Sequence, residues 1–124
     1  MPVQLNHTIV WSKNKRESAS FLTDILGLPD AVAFGPFLVV KLANGASLDF
    51  YEQEETQLQH YAFLMTEAEF DASFARIRAR GLKYWADPGK TQPGTIYELH
   101  GGRGVYFSDP SGHLLEIMTK PYPV

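Results

Sequence analysis

Gly104-Val105-Tyr106-Phe107-Ser108-Asp109-Pro110-Ser111-Gly112-His113-Leu114-Leu115-Glu116-Ile117-Met118 reads as two strands about a tight turn. The strands are expected over residues 104–108 and 113–119, and Asp109-Pro110-Ser111-Gly112 between them has the residue types of a turn. Side chains alternate along a strand, so Leu114, Glu116 and Met118 share one face while Leu115 and Ile117 share the other. If Leu115 and Ile117 pack on helices, Glu116 points to the opposite, concave face. An ionised carboxylate there is costly unless it is paired or ligates a cation. On strand pattern alone, a solvated position or a salt bridge accounts for Glu116 as well as a ligand role does.

Working outward, Ser47-Leu48-Asp49-Phe50 has the same form as Leu114-Leu115-Glu116-Ile117, and the rest of the chain follows in register. Residues 3–11 alternate as a strand, with Leu5, His7, Ile9 and Trp11 on one face. Asn14 with Glu17 three residues on resembles a capping box, Phe21, Leu22, Ile25 and Leu26 form an apolar stripe, and Gly27 suits a left-handed C-cap. Strands over 36–41 and 46–52 meet at Ala43-Asn44-Gly45.

The second pass runs in the same order. A strand is expected over 60–64 and a capping box at Thr66 and Glu69. A helix carrying Phe70, Phe74 and Ile77 closes at Gly81, and a weaker strand is expected over 96–99. His7 to Gly27 spans 20 residues and His60 to Gly81 spans 21. The expected fold class is therefore α+β: two βαβββ half-repeats, 3–52 and 58–120, in one domain of 124 residues. They form a cupped mixed sheet with helices outside. Neither half alone buries enough apolar surface, so pairing within the chain or with a partner subunit is expected.

Composition narrows the function classes. Hydrophobic residues at 44 % and charged residues at 20 % are the balance of a soluble globular protein. A net charge of −3 offers no basic surplus for nucleic acid. There is no cysteine, which removes disulfides, thiolate ligands and a cysteine nucleophile together. No apolar run reaches the roughly 20 residues that cross a bilayer, and no signal peptide is visible, so a cytoplasmic location is expected.

A lone histidine on an apolar strand face, such as His7, is more often a core residue than a ligand, and His60 at a strand start is ordinarily a solvent contact. The repeat changes that weighting: two histidines and two carboxylates, Asp49 and Glu116, fall at equivalent places. Oxygen and imidazole donors suit a divalent zinc, iron, manganese or nickel ion. Two histidines and one carboxylate also make the facial arrangement of non-heme iron sites.

At these residues the chain resembles the vicinal oxygen chelate superfamily, which includes glyoxalase I, extradiol dioxygenases, fosfomycin-resistance thiol transferases and bleomycin-binding proteins. The motif is the aromatic–x–Asp-Pro-x-Gly-x-x-x-Glu pattern ending at Glu116, joined by Leu5-Asn6-His7 and Gln59-His60-Tyr61-Ala62-Phe63. The resemblance implies His7, His60 and Glu116 as metal ligands, with Asp49 where glyoxalase-like members carry a fourth. It implies Lewis-acid stabilisation of an oxyanion on a small oxygen-rich substrate, and a homodimer.

Tyr106, ten residues before Glu116, falls where relatives place a substrate-contacting tyrosine. His100 is the loop histidine suited to acid–base work, and Arg103, read as a loop residue, suits an anionic group. Phe34, Phe37, Tyr51, Trp85 and Tyr106 are expected to line an aromatic cleft. A metal-dependent dioxygenase or glyoxalase-type lyase is the leading expectation. The alternatives are a fosfomycin-type transferase, a metal-free small-ligand or antibiotic-binding protein, and a subunit with an idle site.

Overall fold

The structure, a computed structural model, describes residues 2–124. It divides into two compact units, Met1–Gln57 and Leu58–Val124. In the first, strand β1 (His7–Ser12) leads to helix α1 (Lys15–Leu26), then to strands β2 (Val32–Phe34), β3 (Phe37–Lys41) and β4 (Ser47–Glu52). The second unit contains β5 (His60–Leu64), α2 (Glu67–Ala79), β6 (Tyr84–Trp85), β7 (Tyr97–Leu99), β8 (Gly102–Ser108) and β9 (Leu114–Met118).

Each unit holds one mixed sheet, and the two sheets have the same topology. The first runs β1-β4-β3-β2 and the second β5-β9-β8-β6, with β7 also paired to β8. In each, the strand before the helix lies parallel to the last strand, and the other pairs are antiparallel. The registers match as well: Ile9 opposes Asp49 and Ala62 opposes Glu116, each two residues beyond a strand-opening histidine. Asp49 and Glu116 are thus equivalent in backbone position. The α+β class and the two half-repeats hold.

Both helices begin at the expected residues. Asn14 caps α1 by accepting a hydrogen bond from the Glu17 N–H at 3.1 Å, and Gly27 closes it with φ of 68°. Ser18, Ala19, Phe21, Leu22 and Ile25 are buried on α1, the face turned to β1, β3 and β4. In α2, Thr66 accepts from the Glu69 N–H at 3.1 Å while the Glu69 carboxylate accepts from the Thr66 N–H at 2.9 Å, the reciprocal capping box. Phe70 and Ile77 are fully buried, and Phe74 packs edge-on against Tyr84, with ring centroids 5.1 Å apart.

Two short strands depart from expectation. β2 has three residues and β6 has two, too few to display alternation. They are strands because β3 and β8 offer them a free edge. α2 also ends one residue early, with Arg80 as C-cap, before Gly81 at φ of 65°.

The capping box sets a stability test. Thr66→Ala removes the acceptor at the start of α2 and should lower the unfolding free energy by about 1 kcal/mol, read from urea denaturation. An unchanged midpoint would show that cap to be idle.

Candidate active site

Glu116 lies on β9, a strand buried along four of its five residues, and its own side chain has no exposed surface. Three groups satisfy it. Tyr97 on β7 donates its phenol proton to Oε2 at 2.6 Å. Tyr122, beyond β9, donates to the carboxylate with its Oη 3.2 Å from each oxygen. His60 Nε2 lies 3.0 Å from Oε1. Tyr106 Oη is 3.4 Å from Tyr122 Oη. Since Tyr122 gives its proton to Glu116, Tyr106 is the donor there, and the phenols run in one direction toward the carboxylate.

Backbone pairing brings these groups together. Tyr106 opposes Glu116 across β8 and β9, and His60 lies two residues before Ala62, the residue opposite Glu116 on β5. Tyr97 opposes Gly104, and its ring lies where a side chain at 104 would be. Burial, reinforced by the bond to Glu116, raises the Tyr97 phenol far above its ordinary value. Burial, then the bond to Tyr122, does the same for Tyr106. Tyr97, Tyr106 and Tyr122 line one wall of a cleft of about 510 Å3 whose rim includes Ile96, Leu99 and Lys120.

The first unit has a corresponding pocket of about 490 Å3, lined by His7, Phe34, Phe37 and Asp49 among others. His7 is exposed, and its Nδ1 lies 2.7 Å from Asn6 Oδ1. An amide oxygen only accepts, so Nδ1 carries the proton and Nε2 presents a lone pair. The Asp49 carboxylate accepts from the Ser47 hydroxyl at 2.8 Å.

The donor chemistry of His60 and Glu116 fits a metal edge. In this structure His60 Nε2 and Glu116 Oε1 are joined directly at 3.0 Å as a hydrogen-bonded pair, so it is their donor types that suit a divalent ion, and the His60 side chain remains 41 % exposed. Among the described residues no three His, Asp or Glu side chains gather into a metal-binding group. What is assembled is this pair, with His7 and Asp49 in the first unit.

Several expected site residues are placed differently. Arg103 is on strand β8, not in a loop. Its Nε bonds Glu67 Oε1 at 2.8 Å, its Nη2 bonds Asp71 at 2.8 Å, and its guanidinium lies 4.4 Å from the Phe70 ring centroid. Arg103 borders the cleft, but those carboxylates already occupy its fork. His100 is the first central residue of the two-residue turn between β7 and β8; with Gly101 it takes positive φ, 55° and 76°. Its place follows from turn geometry, and its ring is on the cleft rim.

Trp85 lines a separate pocket of about 440 Å3 with Tyr84 and Pro93, and Lys90 sits 4.8 Å above its ring. Tyr51 packs edge-on against Trp11, with ring centroids 5.4 Å apart, and at a tilt of 45° against Phe37 at 5.3 Å. The expected aromatic set is therefore divided: Phe34 and Phe37 line the first unit's pocket, and Tyr106 lines the second's.

Tyr97 and Tyr122 were missed by sequence reasoning. They lie 19 and 6 residues from Glu116, and no strand period links them to it. The available signal was Gly104, since a glycine inside a strand marks a close approach. His113, just after the turn, is fully buried and accepts the Gln59 N–H on Nδ1 at 3.0 Å.

This arrangement on this fold defines the class: the chain belongs to the Glyoxalase/Bleomycin resistance protein/Dioxygenase superfamily, whose family model matches residues 4–117. Among particular relatives, it is 55 % identical to the solved Oxidase ChaP-H1, with a TM-score of 0.96 over 99 % of this chain and 100 % of that one. Oxidase ChaP-H2 is 54 % identical, with a TM-score of 0.96 over 99 % and 98 %. The chain is also 27 % identical to glutathione transferase FosA of Serratia marcescens, over 91 % of its own length and 78 % of that protein. These relatives are enzymes.

Three phenols, Tyr106 buried and Tyr61 and Tyr97 half-buried, make a pH prediction. Tyr61, Tyr97 and Tyr106 all have raised values, with burial as the first cause. A raised folded value means the fold holds the phenol proton more tightly than the unfolded chain does. This contribution to stability is complete below the ordinary phenol value of about 10 and declines as pH rises past it. Absorbance titration at 295 nm should show part of the six tyrosines ionising well above the ordinary phenol range in the native protein. Six ionising together in the native protein would contradict this.

Proposed function

We propose that the protein is a metal-dependent oxidase of the vicinal oxygen chelate class, acting with dioxygen on a small oxygen-rich substrate. The observation that carries the reading is the 3.0 Å pairing of His60 Nε2 with the buried Glu116 carboxylate beside an open cleft. The full-length likeness to two proteins named as oxidases, at 55 % and 54 % identity, favours oxidase chemistry over the lyase alternative. The fosfomycin-type transferase reading is supported by the more distant FosA and FosB relatives, at 27 % and 28 % identity.

In this reading His60 and Glu116 hold a divalent ion, and His7 is the third ligand, contributed by a second copy of the chain. The Asn6 contact supports His7 in that role, because it fixes the tautomer whose Nε2 is free. When bound, the ion would supply Lewis-acid stabilisation of negative charge on a chelating substrate.

The chain's own residues do the rest. Tyr97 and Tyr122 hold the Glu116 carboxylate in place. Tyr106 lines the cleft and gives its proton to Tyr122 at 3.4 Å, so its oxygen is left to accept from a substrate hydroxyl. Tyr106, Ile96 and Leu99 form the wall against which the substrate's body rests, keeping water from the reacting oxygens.

Protein purified without added metal should contain a stoichiometric divalent ion and consume oxygen with catechol- or quinol-type substrates under air but not under nitrogen. His7→Ala, His60→Ala or Glu116→Ala should each remove metal and oxygen uptake together. Mixing the H7A and E116A chains under subunit exchange should restore part of both, since one composite site regains all three ligands. Turnover independent of oxygen would transfer the assignment to lyase or transferase chemistry. Full activity in a metal-free H60A variant would end the metal reading.

A further inference from the structure

The second unit contains a feature that a ligand pair alone does not require. Gly104 sits in the middle of β8, where a residue with a side chain would ordinarily strengthen the strand. A Cβ there would overlap the ring of Tyr97, with the ring carbon bearing the hydroxyl nearest. The phenol end of the Tyr97 ring therefore occupies the place of a side chain at 104, and its hydroxyl meets Glu116 Oε2 at 2.6 Å.

The first unit shows the contrast. Val39 opposes Asp49 as Tyr106 opposes Glu116, so Phe37 occupies the place equivalent to Gly104. A full aromatic side chain stands there, packed on Tyr51. The space that admits a phenol to the acid exists in one half-repeat and is filled in the other.

We propose that Tyr97, seated on Gly104, is the positioning residue of Glu116: it ties down Oε2 and leaves Oε1 as the single oxygen offered beside His60. This rests on the metal reading above. The geometry separates the two oxygens. Oε2 receives the short bond from Tyr97, whereas the one proton of Tyr122 is shared at 3.2 Å between both. A carboxylate free to rotate could bind an ion through both oxygens and occupy a position that a substrate needs. One held through Oε2 binds through one oxygen and keeps that position open. Gly104 acts only through Tyr97, because it touches neither the carboxylate nor the ion.

The test uses Mn(II) alone as probe, with free Mn(II) followed by electron paramagnetic resonance and fold checked by circular dichroism. Tyr97→Phe keeps the ring and loses the hydroxyl; it should weaken Mn(II) binding by about 10- to 100-fold, the usual effect of losing a partner of a metal ligand. Tyr122→Phe should weaken it less. Gly104→Ala should match Tyr97→Phe, and the two together should lose no more than the larger single loss, because both remove one contact. A merely structural role for Tyr97 would lower the melting temperature and leave Mn(II) affinity in place.

If Gly104→Ala alone fails to fold, adding Tyr97→Ala removes the overlap and should restore folding; failure to do so overturns the seat. Tyr97→Phe binding Mn(II) as tightly as the parent overturns this inference alone. A parent chain that binds no Mn(II) overturns the metal reading and this inference with it.

Discussion

A carboxylate with no exposed surface is the constraint around which the second unit is built. Removing Glu116 from water without partners would cost several kcal/mol, more than a unit of this size could tolerate. The sheet meets that demand with donors drawn from four places: β5, β7, the segment after β9, and indirectly β8. Apart from Tyr122, six residues on, these donors are distant from Glu116 in sequence. They meet only because parallel pairing of β5 with β9 and antiparallel pairing of β8 with both β7 and β9 fix the registers together. The fold and the site are in this sense one problem, since slipping β9 by a single residue would turn Glu116 to the other face.

Much of the frame was legible in the chain because it is carried by local signals. Asn14, Thr66 and Glu69 begin helices through their own side chains, Asp109-Pro110-Ser111-Gly112 makes a turn, and alternation about Glu116 identifies its strand. The equivalence of Asp49 and Glu116 could be read from spacing, and the matching registers agree with it. The three-residue β2 and two-residue β6 were not legible, because an edge strand of that length is specified by the neighbour it pairs with. Arg103 was misplaced for a related reason. Gly101 and Gly102 look like a loop, yet only Gly101 is in the turn. Gly102 opens β8, where a Cβ would collide with the side chain of Lys120.

The pairing of His60 with Glu116 was open to a reading from the repeat, whereas the phenols that hold the carboxylate were not. His60 and Glu116 stand out as residue types that strands seldom carry without cause. Tyr97 and Tyr122 do not, because a tyrosine near a strand has an ordinary packing role. A phenol's function as a donor depends on where its oxygen ends, which is set by ring direction and tertiary contact. His100 is both a turn residue, at positive φ beside Gly101, and a residue lining the cleft, and the sequence pattern pointed only to the second.

The two halves also show how one architecture can carry unequal chemistry. Backbone position makes Asp49 the counterpart of Glu116, but the surroundings differ in three respects. The aspartate is one methylene shorter, its carboxylate is capped by its own strand neighbour Ser47, and Phe37 fills the place that Gly104 leaves open. In the first unit these choices favour packing: aromatic rings cover the strand and the acid is satisfied locally. In the second they favour a pre-set carboxylate, at the expense of a glycine inside a strand. A half-repeat that forgoes strand propensity at Gly104 gains a donor at Oε2 that its twin lacks. That difference, more than the shared histidine and acid positions, separates the two pockets: one carboxylate is fixed by a phenol from a neighbouring strand, the other by the hydroxyl of its own strand.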